Sequence, residues 1–203
     1  MITTMNSMLA ADDRPLPERY RKVTPSQLLR AVAVHPGDWI LDVGCGRGYF
    51  TAALQSRLRP KGGVLALDIR KDVLWAVRNK LGRKNCWFLA VSADRFPLPD
   101  HSVNGAVLAF VLHESPRRKT LLKEVCRVVK PTGWVMLVEW RKTDQDRLTG
   151  RCDRIAPEEM RFLLREVGFR DGTIVYQDNR IYQLITHKKR GGLCRDNSGS
   201  FFL

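Results

Sequence analysis

Strand-length apolar runs alternate along this chain with longer stretches whose apolar positions recur every three or four residues. The runs near 38–43, 63–68, 86–91, 103–110 and 133–140 predict strands, with two more near 172–177 and 180–187. Helices are predicted between them. Leu121, Leu122, Val125, Val128 and Val129 have the spacing of one buried helical face, and Pro131 stops that helix. Thr24-Pro25 supplies a cap and a first-turn proline for a helix over 26–34, and Pro157-Glu158-Glu159 opens another that ends at Gly168. Such alternation implies β-α-β units and a parallel sheet. The last two strands are separated only by the region of Gln177-Asp178-Asn179, so they form an antiparallel hairpin.

The first of these strands ends in Ile40-Leu41-Asp42-Val43-Gly44-Cys45-Gly46-Arg47-Gly48. Three alternating glycines let the backbone turn sharply and leave room for a ligand against the main chain. The spacing is G-x-G-x-G, with Tyr49 where a dinucleotide fingerprint needs a small residue, so a nicotinamide cofactor is disfavoured. Asp42 sharpens the choice, because a carboxylate there repels a pyrophosphate but suits a ligand bearing an ammonium group. Asp68, 24 residues beyond Gly44 and at the end of the next strand, stands where an acidic residue accepts hydrogen bonds from both ribose hydroxyls. The bland alternatives are a tight strand-to-helix turn for the glycines and a helix N-cap for Asp68. An adenosine compound with an ammonium group, S-adenosylmethionine, meets all of these requirements.

With these residues in place, the chain resembles the class I S-adenosylmethionine-dependent methyltransferases, in particular the ubiquinone/menaquinone-methyltransferase-like (type 11) group. Four segments carry the resemblance in order: LDVGCGRGYFT (41–51), VLALDIRKDVL (64–74), RFPLPDHSVNGAVLAFVLHE (95–114) and LLKEVCRVVKPTGWVMLVEW (121–140). It implies an α/β, Rossmann-like fold: a seven-stranded, mostly parallel sheet with an antiparallel last strand and helices on both faces. Asp42, Gly44, Gly46, Gly48 and Asp68 are then the candidates for the methionine and ribose portions of the cofactor, Ser92, Ala93 and Asp94 for its adenine end, and Cys45, Ile69 and Phe110 are further cofactor-binding candidates. Relatives carry an acidic residue where Ser92 stands, which leaves open whether Ser92 or Asp94 meets the exocyclic amine. Asn104, where relatives commonly have Asp, and Thr132-Gly133, in place of a glycine pair, are departures with a structural reading.

Methyl transfer from a sulfonium releases a neutral thioether, S-adenosylhomocysteine, so catalysis is mainly positioning and water exclusion. Ligands bind at the carboxyl ends of parallel strands, which brings His113, Glu114, Glu139 and Trp140 to the acceptor. His113 is a candidate general base for a hydroxyl or enol acceptor, or else it orients a loop. Tyr20 lies on an N-terminal segment that folds over the cofactor in relatives. The favoured reaction is O- or C-methylation of a small molecule. A methyltransferase of RNA or protein and a non-catalytic cofactor-binding module are the alternatives; Ala109-Phe110-Val111-Leu112 stands where amino-group methyltransferases often carry an Asn-Pro-Pro-Tyr-like signature.

Composition changes this picture in one respect. The 203 residues and 44% hydrophobic content suit one domain, over 16–188, between flexible segments at 1–15 and 189–203. Five scattered cysteines without a C-x-x-C pair argue for reduced thiols, no metal site and a cytoplasmic setting, and no apolar run spans a bilayer. However, 35 Lys and Arg against 21 Asp and Glu leave a formal charge of +14. The excess clusters at Arg70–Lys84, Arg117–Lys119 and Lys188–Arg190, which makes nucleic acid a possible partner or else marks solvated helix faces and a tail. The protein is expected as a monomer or homodimer.

Overall fold

The computed structural model describes residues 22–58, 61–82, 84–92, 95–142 and 154–189. Seven strands form one sheet: β1 (Trp39–Val43), β2 (Gly63–Asp68), β3 (Cys86–Ala90), β4 (Val103–Ala109), β5 (Val129–Trp140), β6 (Thr173–Gln177) and β7 (Ile181–His187). Their order is β3-β2-β1-β4-β5-β7-β6. β1 to β5 are mutually parallel, whereas β7 runs antiparallel to β5 and to β6. The expected sheet is therefore present, including its antiparallel end.

Alternate residues of the central strands feed two separate cores. Leu41, Val43, Leu65, Leu67, Leu108 and Leu137 pack with α4 (Arg118–Val128) and α5 (Pro157–Glu166). Ile40, Val64, Ala66, Val107 and Met136 face the other way, onto α1 (Pro25–Leu28), α2 (Tyr49–Arg57) and α3 (Lys71–Leu81). Apolar residues on both faces of a strand are what a parallel sheet covered by helices requires. Each fully buried Leu or Ile contributes about 1.5–3 kcal/mol, so β1, β2 and β4 form a rigid platform for the loops at their carboxyl ends.

The helix signals act as expected, with local adjustments. Thr24 and Gln27 form a capping box: Gln27 N–H donates to Thr24 Oγ1 (3.3 Å) and Thr24 N–H donates to Gln27 Oε1 (2.8 Å). This first helix is shorter than predicted, passing into a 3₁₀ turn over Leu29–Ala31 before β-branched Val32 turns extended. α5 ends as predicted, with Gly168 at φ +102°. β5 begins at Val129 rather than near 133, because Val129 leaves α4 already extended and pairs with Val103. β4 ends one residue early, because Phe110 turns to φ +60°.

The basic C-terminal cluster needs correction. Lys188 is buried, and its Nζ donates to the carbonyls of Cys126 (2.8 Å) and Val129 (3.4 Å), while Lys189 N–H donates to Gly168 O. Lys188 thus ties β7 to the end of α4 instead of adding to a surface charge. Arg83, Arg190, Cys152, Cys194 and the termini lie outside the described residues. Cys45, Cys86 and Cys126 are buried free thiols.

Candidate active site

β1 is flanked by β2 on one side and β4 on the other, so the chain leaves it at the point where strand order reverses. Loops diverge there and open a crevice at the carboxyl ends of the strands. A cleft of about 440 Å³ occupies this place, lined by Asp42, Gly44, Cys45, Gly46, Asp68, Ile69, Ser92, Phe110, His113, Glu114 and Trp140, among others.

The glycine loop is held by main-chain bonds and by one carboxylate. Cys45 N–H donates to Leu67 O (2.8 Å) and Gly48 N–H to Cys45 O (2.8 Å). Gly46 N–H donates to Asp68 Oδ2 (3.0 Å), and Arg70 N–H donates to Asp68 Oδ1 (2.9 Å). Asp68 therefore fastens the β1 loop to the β2 loop and keeps lone pairs of both oxygens available in the cleft. Gly46, at φ +50°, is the most open of the three glycines: a Cβ there would meet nothing closer than Gly44 O at 3.9 Å. Gly48 has a different task from the one expected. It does not line the cleft; a Cβ on it would fall 2.5 Å from Val77 Cγ1, so it lets α2 pack closely on α3.

Asp42 is buried beneath the loop, and Thr51 Oγ1 of α2 donates to its Oδ2 at 2.5 Å. Burial pushes this carboxyl up to about 6, against the lowering effect of Thr51. A group so poised at the edge of a cleft gains from a cation placed nearby. Its exposure is only 2%, so it acts from below the loop rather than from the cleft wall at large.

The other half of the cleft is built from the ends of β4 and β5. Phe110 holds a left-handed backbone that costs a non-glycine residue about 1–3 kcal/mol, and its ring packs on Trp140 with centroids 4.9 Å apart. Arg154 sits over the Trp140 ring at 5.7 Å. This kink in the chain turns the segment after β4 back across β5. His113 consequently meets Glu139, with Nδ1 and Oε2 2.7 Å apart. Glu139, expected beside the acceptor, does not line the cleft. It is buried behind His113, and its Oε1 accepts the N–H groups of Leu112 (2.8 Å) and His113 (3.4 Å). Glu114 is exposed at the rim, 3.7 Å from His113 Nε2. Hydrogen bonding to Glu139 holds the His113 imidazole above its ordinary value despite burial, and the charges of Glu139 and Glu114 add to that while Arg154 opposes it.

A methyltransferase domain family profile matches residues 41–137, the span from β1 through most of β5. The demethylmenaquinone methyltransferase of Bacillus cytotoxicus is 33% identical over 132 residues, which cover 64% of this chain and 54% of that one. The ubiquinone/menaquinone biosynthesis C-methyltransferase UbiE of Francisella tularensis is 25% identical over 173 residues, covering 83% and 66%. A solved SAM dependent methyltransferase from Aquifex aeolicus superimposes with a TM-score of 0.76 at 26% identity, over 86% of this chain and 94% of that one. The chain is similar to the methyltransferase domain family over residues 41–137. It spans about half the length of the first curated relatives it matches.

The cofactor of this methyltransferase family is S-adenosylmethionine, and the residues of the cleft fit it. Gly46 leaves an unfilled cradle over the loop, Asp68 presents acceptor lone pairs, and Asp42 supplies a buried carboxylate for a cation. Ile69, an apolar side chain left 73% exposed at the rim, offers a face for a flat ring, and Ser92 lines the same end. Ala93, Asp94 and Tyr20 lie outside the described residues. Among the described residues no three His, Cys, Asp or Glu gather as a metal site, and no helix is long and apolar enough to cross a membrane.

Sequence reasoning missed three parts of the candidate site. Thr51 stands in the first turn of α2, nine positions after Asp42, and its hydroxyl bond to that carboxylate is formed across the glycine loop. The pairing of His113 with Glu139 spans 26 positions and has no local signature. Ser115 is a third: its Oγ is buried at the acceptor end of the cleft without a hydrogen-bond partner.

Proposed function

We propose that the chain catalyses methyl transfer from S-adenosylmethionine to a small ring-bearing acceptor of the quinol type, at oxygen or carbon. The observation that carries this reading is the frame in which Asp68 fastens the Gly46 loop while facing the cleft, with Asp42 buried beneath. When bound, the cofactor supplies an electrophilic methyl group on a sulfonium. The chain's own residues bind and orient: Asp68 receives the ribose hydroxyls, the Gly44–Gly46 loop leaves room for the chain that carries the sulfonium, and Asp42 balances the ammonium. Ile69 and Ser92 hold the adenine. Phe110 and Trp140 form an aromatic wall on the acceptor side, suited to stacking on a flat conjugated ring and to excluding water from the transferred methyl.

The names of the relatives support a quinone-class acceptor, since one is a demethylmenaquinone methyltransferase and another a ubiquinone/menaquinone biosynthesis C-methyltransferase. A calorimetric titration with S-adenosylmethionine, S-adenosylhomocysteine and NADH tests the cofactor. The expected result is saturable binding of the first two alone; NADH binding in their place rejects the reading. Labelled-methyl transfer is then measured with a reduced demethylnaphthoquinone and with bulk RNA. Transfer to RNA and not to the quinol replaces the small-molecule acceptor by one recruited through the +14 charge.

A further inference from the structure

From the contact between the loop after β4 and the end of β5 we infer that His113 and Glu139 form a proton-abstracting dyad facing the acceptor, which must then be a small molecule with an ionisable hydroxyl, a phenol or an enol. The inference rests on the methyltransferase reading above and adds to it the base that ionises the acceptor and a positioning residue.

Glu139 is an acceptor only. Its Oε1 is committed to the Leu112 and His113 N–H groups, and its Oε2 lies 2.7 Å from His113 Nδ1. A carboxylate so placed takes the Nδ1 proton as a hydrogen bond and leaves the neutral imidazole with its free electron pair on Nε2. Side-chain exposure is 17% for His113 and 1% for Glu139, so the imidazole meets the cleft and the carboxylate stays behind it. Fixing of a base by a buried carboxylate is the arrangement general-base catalysis needs. Ser115 Oγ, buried and unpartnered beside it, offers the acceptor a second polar contact.

The charged and titratable groups around the imidazole are Glu139 on β5, Glu114 on the same loop and Arg154 before α5. Arg118 donates to Leu112 O from α4, and Tyr182 of β7 lies opposite Glu139 with its hydroxyl turned to Ile155 O. Electrons and protons balance with no further reactant. His113 Nε2 takes the hydroxyl proton, and the oxygen, or the carbon conjugated to it, forms a bond to the methyl carbon. The carbon–sulfur pair returns to sulfur as a neutral thioether. For attack through carbon, loss of the ring proton restores the enol, so either route releases one proton overall.

The test uses Glu139→Gln, Glu139→Asp and His113→Ala in the full chain, with S-adenosylhomocysteine binding measured first on each. Retained binding keeps the cofactor reading intact, and its loss in the wild type points to failure of that reading rather than of the dyad. Nitrogen-15 spectra of the imidazole then report the tautomer. The wild type is expected to hold its proton on Nδ1. In Glu139→Gln the amide NH₂ donates to Nδ1 and drives the proton to Nε2, while Glu139→Asp restores the wild-type tautomer in part. Finally 4-nitrocatechol, whose ionised form is coloured, is titrated into each complex with S-adenosylhomocysteine. The wild type is expected to bind it and ionise it at a pH below its free value, and His113→Ala and Glu139→Gln to lose that effect about tenfold or more in apparent proton affinity. Labelled-methyl transfer to the same probe is expected to fall by about 10²-fold or more in both variants, mainly in kcat. An Nε2–H tautomer in the wild type, no binding of the nitrocatechol, or equal ionisation in all variants overturns the dyad and leaves Glu139 as a loop tether.

Discussion

The three glycines of the β1 loop are chemically identical in sequence, yet their surroundings predict three different outcomes for the same substitution. All sit at positive φ: +65° at Gly44, +50° at Gly46 and +74° at Gly48. Placing an L-residue in that region costs about 1–2 kcal/mol, offset by about 0.4–1 kcal/mol from a stiffer unfolded chain. For Gly46→Ala this is the whole account, because the new methyl meets only Gly44 O at 3.9 Å, and a stability loss of roughly 1 kcal/mol or less is expected. Gly44→Ala also drives a methyl to 2.5 Å from Val111 Cγ2, and Gly48→Ala drives one to 2.5 Å from Val77 Cγ1. Overpacking of this kind adds about 1–3 kcal/mol, for a total of roughly 2–4 kcal/mol in each.

Binding sorts the same variants differently. The methyl of Gly46→Ala occupies the space above the loop where the cofactor is proposed to lie, so S-adenosylhomocysteine affinity is expected to fall at least tenfold, about 1.4 kcal/mol or more. Gly48→Ala, whose methyl points into the α2–α3 contact, is expected to keep its affinity within a few-fold where it folds. Urea denaturation gives the stabilities and calorimetric titration the affinities. Val111→Ala in the Gly44→Ala background is expected to recover the clash component and not the φ component. If Gly46→Ala binds as the wild type does, the cofactor does not lie against this loop, and the assignment of the cleft is wrong at its centre.

Asp42 carries a pH dependence whose direction follows from burial. Its carboxyl stands at about 6 against an ordinary 3.8, so the folded state binds the proton more tightly than the unfolded one, and this group's contribution to stability falls as pH rises through the interval between those values, by about 3 kcal/mol at most. Asp42→Asn is therefore expected to flatten the stability profile between pH 4 and about 6 and to raise stability at neutral pH, while cofactor affinity drops; an unchanged profile in denaturation experiments refutes the assignment. For the wild type, affinity for S-adenosylhomocysteine is expected to rise from pH 5 to about 7, as its ammonium favours the ionised carboxylate, and titrations in buffers of different ionisation enthalpy read out the released proton. Asp68→Ala removes the acceptor of Gly46 N–H and the proposed acceptor of the ribose, and a loss of about 1–3 kcal/mol in cofactor affinity is expected by calorimetry. Asn104→Ala leaves Trp39 N–H and Lys130 Nζ without Oδ1, so a stability loss of about 1–3 kcal/mol is expected in urea with cofactor affinity unchanged.

What was legible in the chain and what was not divides along the length scale of the interaction. Strand cores, the capping box at Thr24, the Gly168 terminus and the glycine loop are decided by residues a few positions apart, and each stands where the pattern placed it. Gly48 shows the limit: its spacing matched a cofactor glycine, but besides its positive φ the demand for glycine comes from Val77, a residue 29 positions away on another helix. Lys188 looked like part of a basic tail because its acceptors, the carbonyls of Cys126 and Val129, carry no sequence identity at all. His113 and Glu139 are the functional instance of the same limit. β4 and β5 pair in register with Ala109 opposite Val138, which sets Phe110 level with Glu139. The left-handed turn at Phe110 then folds Leu112 and His113 back over Glu139. Neither a histidine at the end of one strand nor a glutamate at the end of the next specifies their contact; the left-handed backbone at Phe110 and the N–H groups it aims at Glu139 do. A chain that keeps this turn despite its cost is expected to lose the His113 tautomer when Phe110 becomes glycine and the loop gains freedom, even though glycine fits the same φ without strain.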